Sequence, residues 1–137
     1  MNFFKNADGW NKDCIVNAIR SIAEWAYLPG LVEVKITDLI DLFRTGRQVS
    51  FSYGRGVGDK AIFNATNTAI SKVSSRLPKV NYIIYNVTGN EKNMNAFEIQ
   101  ESANELLSWC NECTKLLFGI RINNRLKDAV KVDIWMA

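Results

Sequence analysis

Histidine is missing from all 137 residues. That removes the usual base from any Ser- or Cys-nucleophile arrangement and the commonest nitrogen ligand from any zinc site. Cysteine is scarce, three in all, with a lone Cys110-x-x-Cys113 and a distant Cys14. Three thiols without histidine fall short of a four-ligand zinc site, and the thioredoxin-like setting of a redox pair is absent. The cysteines are therefore read as incidental reduced thiols, and no metal or cofactor is expected. No apolar run approaches the roughly 20 residues of a membrane helix. Met1–Asp8 holds Phe3 and Phe4 but no stretch long enough for a signal peptide, so a cytoplasmic location without a membrane partner is expected. Charge of one sign is also lacking: 17 basic and 14 acidic residues leave +3, evenly spread. Without a basic cluster interleaved with aromatics, nucleic acid is not an expected partner.

What is present is an ordinary globular composition, 47% hydrophobic and 23% charged, in a length suited to one core. Residues 1 to 9 read as a lead-in ending in the turn Asp8-Gly9. From Trp10 the apolar residues Ile15, Ala18, Ile19, Ile22 and Ala26 recur at helical spacing, with Asp13, Asn17, Arg20 and Glu24 opposite. This pattern predicts that the apolar side packs on the rest of the domain while the polar side meets water. Trp10, Cys14 and Val16 at its margin offer a dimer contact as an alternative. Pro29-Gly30 ends the helix.

Thr37–Phe43 reads as a short helix, and Gln48–Tyr53 alternates like a half-buried strand. Lys60–Leu77 is a helix with the stripe Ile62, Ala65, Ala69, Val73 and Leu77, stopped by Pro78. Tyr82–Val87, almost wholly apolar, predicts a central strand. Met94–Cys110 is the next helix, anchored by Ile99, Ala103, Leu106 and Leu107. Lys115–Ile122 and Val130–Met136 are the last strands. The expected fold is α+β: a two-layer sandwich, a four-stranded sheet with two helices on one face, plus an N-terminal long helix. The divisions are a lead-in at 1–9, a helix at 10–29 and a sheet domain at 30–137.

Gly54-x-Gly56-x-Gly58-Asp59-Lys60 lies between strand and helix, where phosphate cradles occur. It fits neither glycine-rich nucleotide pattern, and Ala61 stands where a Ser or Thr would help hold magnesium, so a plain flexible loop is expected. Asn86-Val87-Thr88 is a glycosylation pattern that without secretion is simply a strand end. Scattered acids show no pairing in an apolar pocket, so solvated charge is the expected reading.

The run Ile22–Leu39, with Leu28-Pro29-Gly30-Leu31 and the loop Glu33–Asp38, resembles the end of the long central helix and the following loop of FtsZ, the bacterial tubulin-like division protein. Thr88-Gly89, Phe97-Glu98, Phe118-Gly119 and Val130–Trp135 are similar, in order, to positions of that family's C-terminal domain. The resemblance covers residues 10 to 136.

The resemblance implies an active site shared between filament subunits. One subunit holds GTP, and the loop of the next supplies an asparagine and two acids. Here the asparagine position is Glu33, the first acid is Lys35, and the second remains as Asp38. Lysine offers a positive point charge where a carboxylate is needed. The family's base-contacting Asn or Asp aligns with Lys12, a donor only. The family's glycine-rich phosphate loop has no counterpart in these residues. No autonomous GTPase activity is therefore expected, no catalytic residue is assigned, and Asp38 is read foremost as a helix N-cap.

The expectation is an FtsZ-like C-terminal domain acting by protein contact through Glu33, Lys35 and Asp38. Its partner would be an FtsZ- or tubulin-like protein, or itself, with filament capping or modulation as the outcome. The alternatives are half of a split or truncated GTPase that needs a separate nucleotide-binding domain, and a small-ligand enzyme on the same sandwich.

Overall fold

A computed structural model describes residues 11–28, 30–32 and 34–137. The elements are α1 (Lys12–Tyr27), β1 (Gly30–Val32), α2 (Ile36–Arg44), β2 (Ser50–Val57), α3 (Ala61–Val73), β3 (Tyr82–Gly89), α4 (Ala96–Ser108), β4 (Lys115–Ile122) and β5 (Ala129–Met136). The sheet order is β1-β4-β3-β5-β2, so β3 is central as its apolar run predicts. β3 and β4 run parallel, and the other pairs are antiparallel. Among the described residues the sheet thus has five strands rather than the expected four. The fifth, β1, has three residues pairing with Arg121 and Ile120, too short to show a period-2 pattern in sequence.

One sheet face carries the helix pair expected from the sequence. Ile62, Ala65, Ala69 and Ile70 of α3 and Ile99 and Leu106 of α4 cluster with Ile83, Tyr85, Val87, Val130, Val132 and Ile134. Two polar pairs are buried here: the Tyr85 hydroxyl and Thr66 Oγ1 lie 2.7 Å apart, and Ser52 donates to the Ala69 carbonyl at 2.7 Å. Asn95 caps α4 by accepting from the N–H groups of Phe97 and Glu98.

The glycines of the 54–58 segment are not all loop. Gly54 and Gly56 lie inside β2, where α3 passes directly over the strand. A Cβ at Gly54 would sit 2.0 Å from the Ala65 carbonyl oxygen, and one at Gly56 2.0 Å from that of Ala61. Their spacing of two places both on the α3-facing side of the pleat.

The opposite face is covered by α1 and α2 over an aromatic core. Trp135 packs against Phe51, Phe43 and Trp25 at centroid distances of 4.5, 6.0 and 6.5 Å. Leu39, Leu42, Val49 and Ile84 complete it. α1 is rotated from the orientation its strongest apolar stripe predicts. Ala18, Ser21 and Trp25 point inward, while Ile19 is 52% exposed and Ala26 is also exposed. Asp13 accepts from the Tyr53 hydroxyl and Glu24 pairs with Lys131, so two of the four residues expected to face water instead contact the sheet. The physical reason lies below the helix. The sheet there presents Tyr53, Lys131 and Asp133, which polar α1 residues can satisfy, and Trp25 needs the space beside Trp135.

Candidate functional site

The connector from α1 to α2 is the sequence-predicted site. Its start is the C-cap Leu28, whose N–H donates to the Glu24 carbonyl at 2.8 Å. β1 then attaches the chain to the β4 edge, and Val34 is buried before α2 begins. Lys35 is the extended residue just before α2, at φ −89° and ψ 155°. Its N–H donates to Asp38 Oδ2 at 2.8 Å, and the Asp38 N–H returns to the Lys35 carbonyl at 2.9 Å. Asp38 is therefore the third residue of the helix, and the cap position belongs to Lys35. The expectation that Asp38 is the N-cap is thus corrected: the acid satisfies a free N–H at the helix start, but from inside the helix.

Lys35 and Asp38 are thus brought together, with Lys35 exposed and Asp38 half-buried. Glu33 lies outside the described residues. Lys12 opens α1, a 16-residue helix, and so stands at the far end of roughly 24 Å of helix from the connector. The structure does not gather Lys12 with the other candidates.

The residue that organises this loop is one the sequence reading missed. Arg121 on β4 is buried, donating from Nη1 to the Leu28 carbonyl at 3.0 Å and from Nη2 to the Val34 carbonyl at 2.7 Å. Its guanidinium carbon lies 5.8 Å from the Trp25 ring centroid. A single fork therefore ties both ends of the connector to the sheet. The available signal was a lone cation in the otherwise apolar run 116–122. Arg121→Met keeps the stem but leaves two carbonyls without donors. Chemical denaturation of this variant is expected to show a loss of about 2 kcal/mol, with faster exchange of the β1 amides.

Further along the same face lies a buried polar layer. Asp133 sits beneath α1 among Ser21, Glu24 and Lys131, and burial followed by the Glu24 charge pushes its carboxyl up to about 7. The Trp135 indole N–H donates to Ser21 Oγ at 3.3 Å. Asn86 and Thr88 of the glycosylation pattern are wholly buried in β3, with Asn86 Nδ2 donating to Thr88 Oγ1 at 3.0 Å. Burial also raises the Cys14 and Cys110 thiols above their ordinary value. Among the described residues no group of three His, Cys, Asp or Glu side chains is placed to hold a metal ion. No described helix is long and apolar enough to cross a membrane.

The mixed sheet, the helix pair on one face and the long helix feeding a capped loop on the other make an α+β fold shared with solved FtsZ and TubZ structures. Two of the relatives similar in sequence are FtsZ proteins. The chain is 23% identical over 134 residues to the cell division protein FtsZ of Magnetospirillum gryphiswaldense, covering 96% of this chain and 23% of that protein. It is 25% identical over 136 residues to FtsZ of Caulobacter vibrioides, covering 96% and 26%. No family model matches. Among solved structures, an empty FtsZ dimer from M. jannaschii superposes with a TM-score of 0.74 at 17% identity, over 97% of this chain and 41% of that one. A GTPγS-form TubZ protofilament from Bacillus thuringiensis serovar israelensis gives 0.70 at 14% identity, over 96% and 37%. The resemblance carried by residues 10 to 136 thus holds over nearly the whole chain. The chain spans about a quarter of the length of these curated relatives.

Proposed function

We propose that these residues act by protein contact, as an FtsZ-like C-terminal domain that docks through the α1–α2 connector onto a filament subunit of the same kind and modulates its assembly. The observation that supports this most is the connector itself. Among the described residues it holds β1, the Arg121 fork and the Asp38 bond to Lys35 N–H, yet it presents an exposed lysine where the resemblance implies an acid. Such a surface retains shape for a neighbour's nucleotide face but not the carboxylate chemistry of hydrolysis. A lysine there is attractive to a triphosphate, so binding without turnover is the expected behaviour.

The test is assembly of a full-length FtsZ with GTP, followed by light scattering and sedimentation with this chain added. Substoichiometric amounts are expected to lower polymer mass. Absence of both binding and any change in polymer would end this reading. Lys35→Glu is a sharper probe, because Lys35 is exposed and its loss leaves the fold intact. Binding should weaken about tenfold at low salt, with the difference shrinking as salt rises.

A second reading is favoured by one observation. Val16, Ile19 and Tyr27 form an exposed apolar side of α1, the kind of surface that marks a protein interface. It supports the split-GTPase alternative, in which a separate nucleotide-binding domain covers α1. Restoration of GTP hydrolysis on adding such a domain would favour it over capping.

A further inference from the structure

We infer that the cavity between the middle of α1 and the β2–β5 strand pair binds a small dianion of the phosphate class, held by Arg20, Arg55 and Lys131 above Asp133. The cavity measures about 270 Å³, and its lining includes Asn17, Arg20, Arg55, Leu126, Lys131 and Asp133. None of these residues belongs to the α1–α2 connector, so a dianion here neither requires nor excludes docking through that loop.

Two of the cations face each other across the sheet. Arg55 and Lys131 are directly opposed in the antiparallel register. Gly54 and Gly56 take the α3 side of β2, so Arg55 rises on the α1 side, where Lys131 meets Glu24. Like charges so placed repel. Arg20 brings a third cation from α1, one turn from Asn17 and one from Glu24. Glu24 neutralises Lys131 alone. Among the described residues, neither the Arg20 nor the Arg55 side chain has an ion-pair or hydrogen-bond partner.

The floor is Asp133, 3% exposed, whose Oδ2 has no hydrogen-bond partner. Burial, then the Glu24 charge, pushes its carboxyl up to about 7. Around it stand Ser21, Glu24 and Arg20 of α1, Lys131 on its own strand, Tyr53 and Arg55 of β2, and Asn86 of β3. Holding its proton, this carboxyl donates to an anion above it; ionised, it repels one. With Lys131 matched by Glu24 and Asp133 neutral, the charges of the two arginines remain, and a dianion cancels both. A planar carboxylate is satisfied by one guanidinium fork. Cations arriving from a helix above and two strands below suit a tetrahedral oxyanion, whose oxygens point several ways.

The experiment is isothermal titration calorimetry at constant ionic strength with sulfate, inorganic phosphate and glycerol phosphate, alongside acetate. Saturable binding of the three is expected, at least about tenfold tighter than acetate. Equal affinity for phosphate and its ester assigns the site to the free ion, and preference for the ester to a phosphorylated small molecule. Arg20→Ala and Arg55→Ala, both at exposed positions, should each weaken sulfate at least about tenfold, with an unchanged circular dichroism spectrum. Arg44→Ala, at an exposed position outside the cavity, should leave it within about twofold, which separates the site from diffuse attraction. Sulfate keeps one charge state between pH 6 and pH 8. Its affinity should fall at least about threefold across that range in the parent and stay level in Asp133→Asn. Absence of saturable binding at about 10 mM sulfate and phosphate overturns the inference. So does an affinity untouched by both cavity variants, lost equally in Arg44→Ala, or not falling with pH in the parent.

Discussion

Gly54→Ala is expected to abolish stable folding of this domain, and Gly56→Ala to do nearly the same. One methyl group at Gly54 would lie 2.0 Å from the Ala65 carbonyl oxygen and 2.9 Å from the Ala69 backbone nitrogen. Both obstacles are helix backbone, so no rotamer change makes room. Relief requires lifting α3 off β2, and α3 is the helix whose Ile62, Ala65, Ala69 and Ile70 seal one core. It would also break the Ser52 bond to the Ala69 carbonyl. Overpacking against side chains costs about 1–3 kcal/mol. Overpacking against fixed backbone belongs to the exceptional class, about 4 kcal/mol or more, which approaches the whole stability of a domain of this size. Urea denaturation of Gly54→Ala beside Gly58→Ala is the informative pair. Gly58 has open space around its Cβ direction but φ of +74°, so its replacement costs only the left-handed backbone, about 1 kcal/mol. If Gly54→Ala matches Gly58→Ala in midpoint, the close helix–strand approach is not what these glycines serve.

The same glycines show where sequence reading reached its limit. A Gly-x-Gly-x-Gly run between strand and helix reads as loop, because glycine's freedom suits turns and its lack of a side chain weakens a strand. That a helix backbone would pass within contact of the strand is a tertiary fact, written in no local pattern. Where burial is periodic and one-sided, the fold was legible: Ile62, Ala65 and Ala69 on α3 and the apolar run of β3 lie where their spacing predicts. α1 was legible as a helix but not in its facing. Its apolar stripe outweighs Ser21 and Trp25 in any periodicity count, yet Trp25 alone offers more contact area than the isoleucines it displaces. At the candidate site, Lys35 and Asp38 were named from the family resemblance, and the Lys35 backbone N–H meets the Asp38 carboxylate. Arg121 was not, because a charged residue in a strand reads as an outward-facing one until the register shows which face it takes.

Asp133 was hidden for the same reason, and it carries the second large prediction: stability falls as pH rises from about 4 to about 8, and Asp133→Asn removes that slope. The carboxyl lies fully enclosed under α1, with Ser21 and Glu24 facing it from the helix and Lys131 on its own strand. Asn86 of β3 and Tyr53 of β2 stand beside it in the sheet register. Burial disfavours the charged form, Glu24 adds repulsion, and Lys131, already paired with Glu24, offsets only part. The folded-state value near 7 therefore stands above the ordinary 3.8. Between those values the folded chain holds a proton that the unfolded chain has released. The contribution is therefore fully present below pH 4 and is lost as pH climbs through 7. A separation of about three units corresponds to about 4 kcal/mol across the window. Asparagine matches the neutral acid in shape, keeps an oxygen for the Ser21 hydroxyl, and cannot ionise. The variant should equal the parent near pH 4 and exceed it by up to that amount at pH 8, measured as urea midpoints at each pH. Because the group lies between α1 and the sheet, the α1 amides of the parent should also exchange faster as pH rises, beyond the intrinsic increase seen in Asp133→Asn. A parent whose midpoint is flat across this range would mean that the carboxyl is solvated or already paired, and that the polar layer under α1 is not the proton-dependent joint its burial implies.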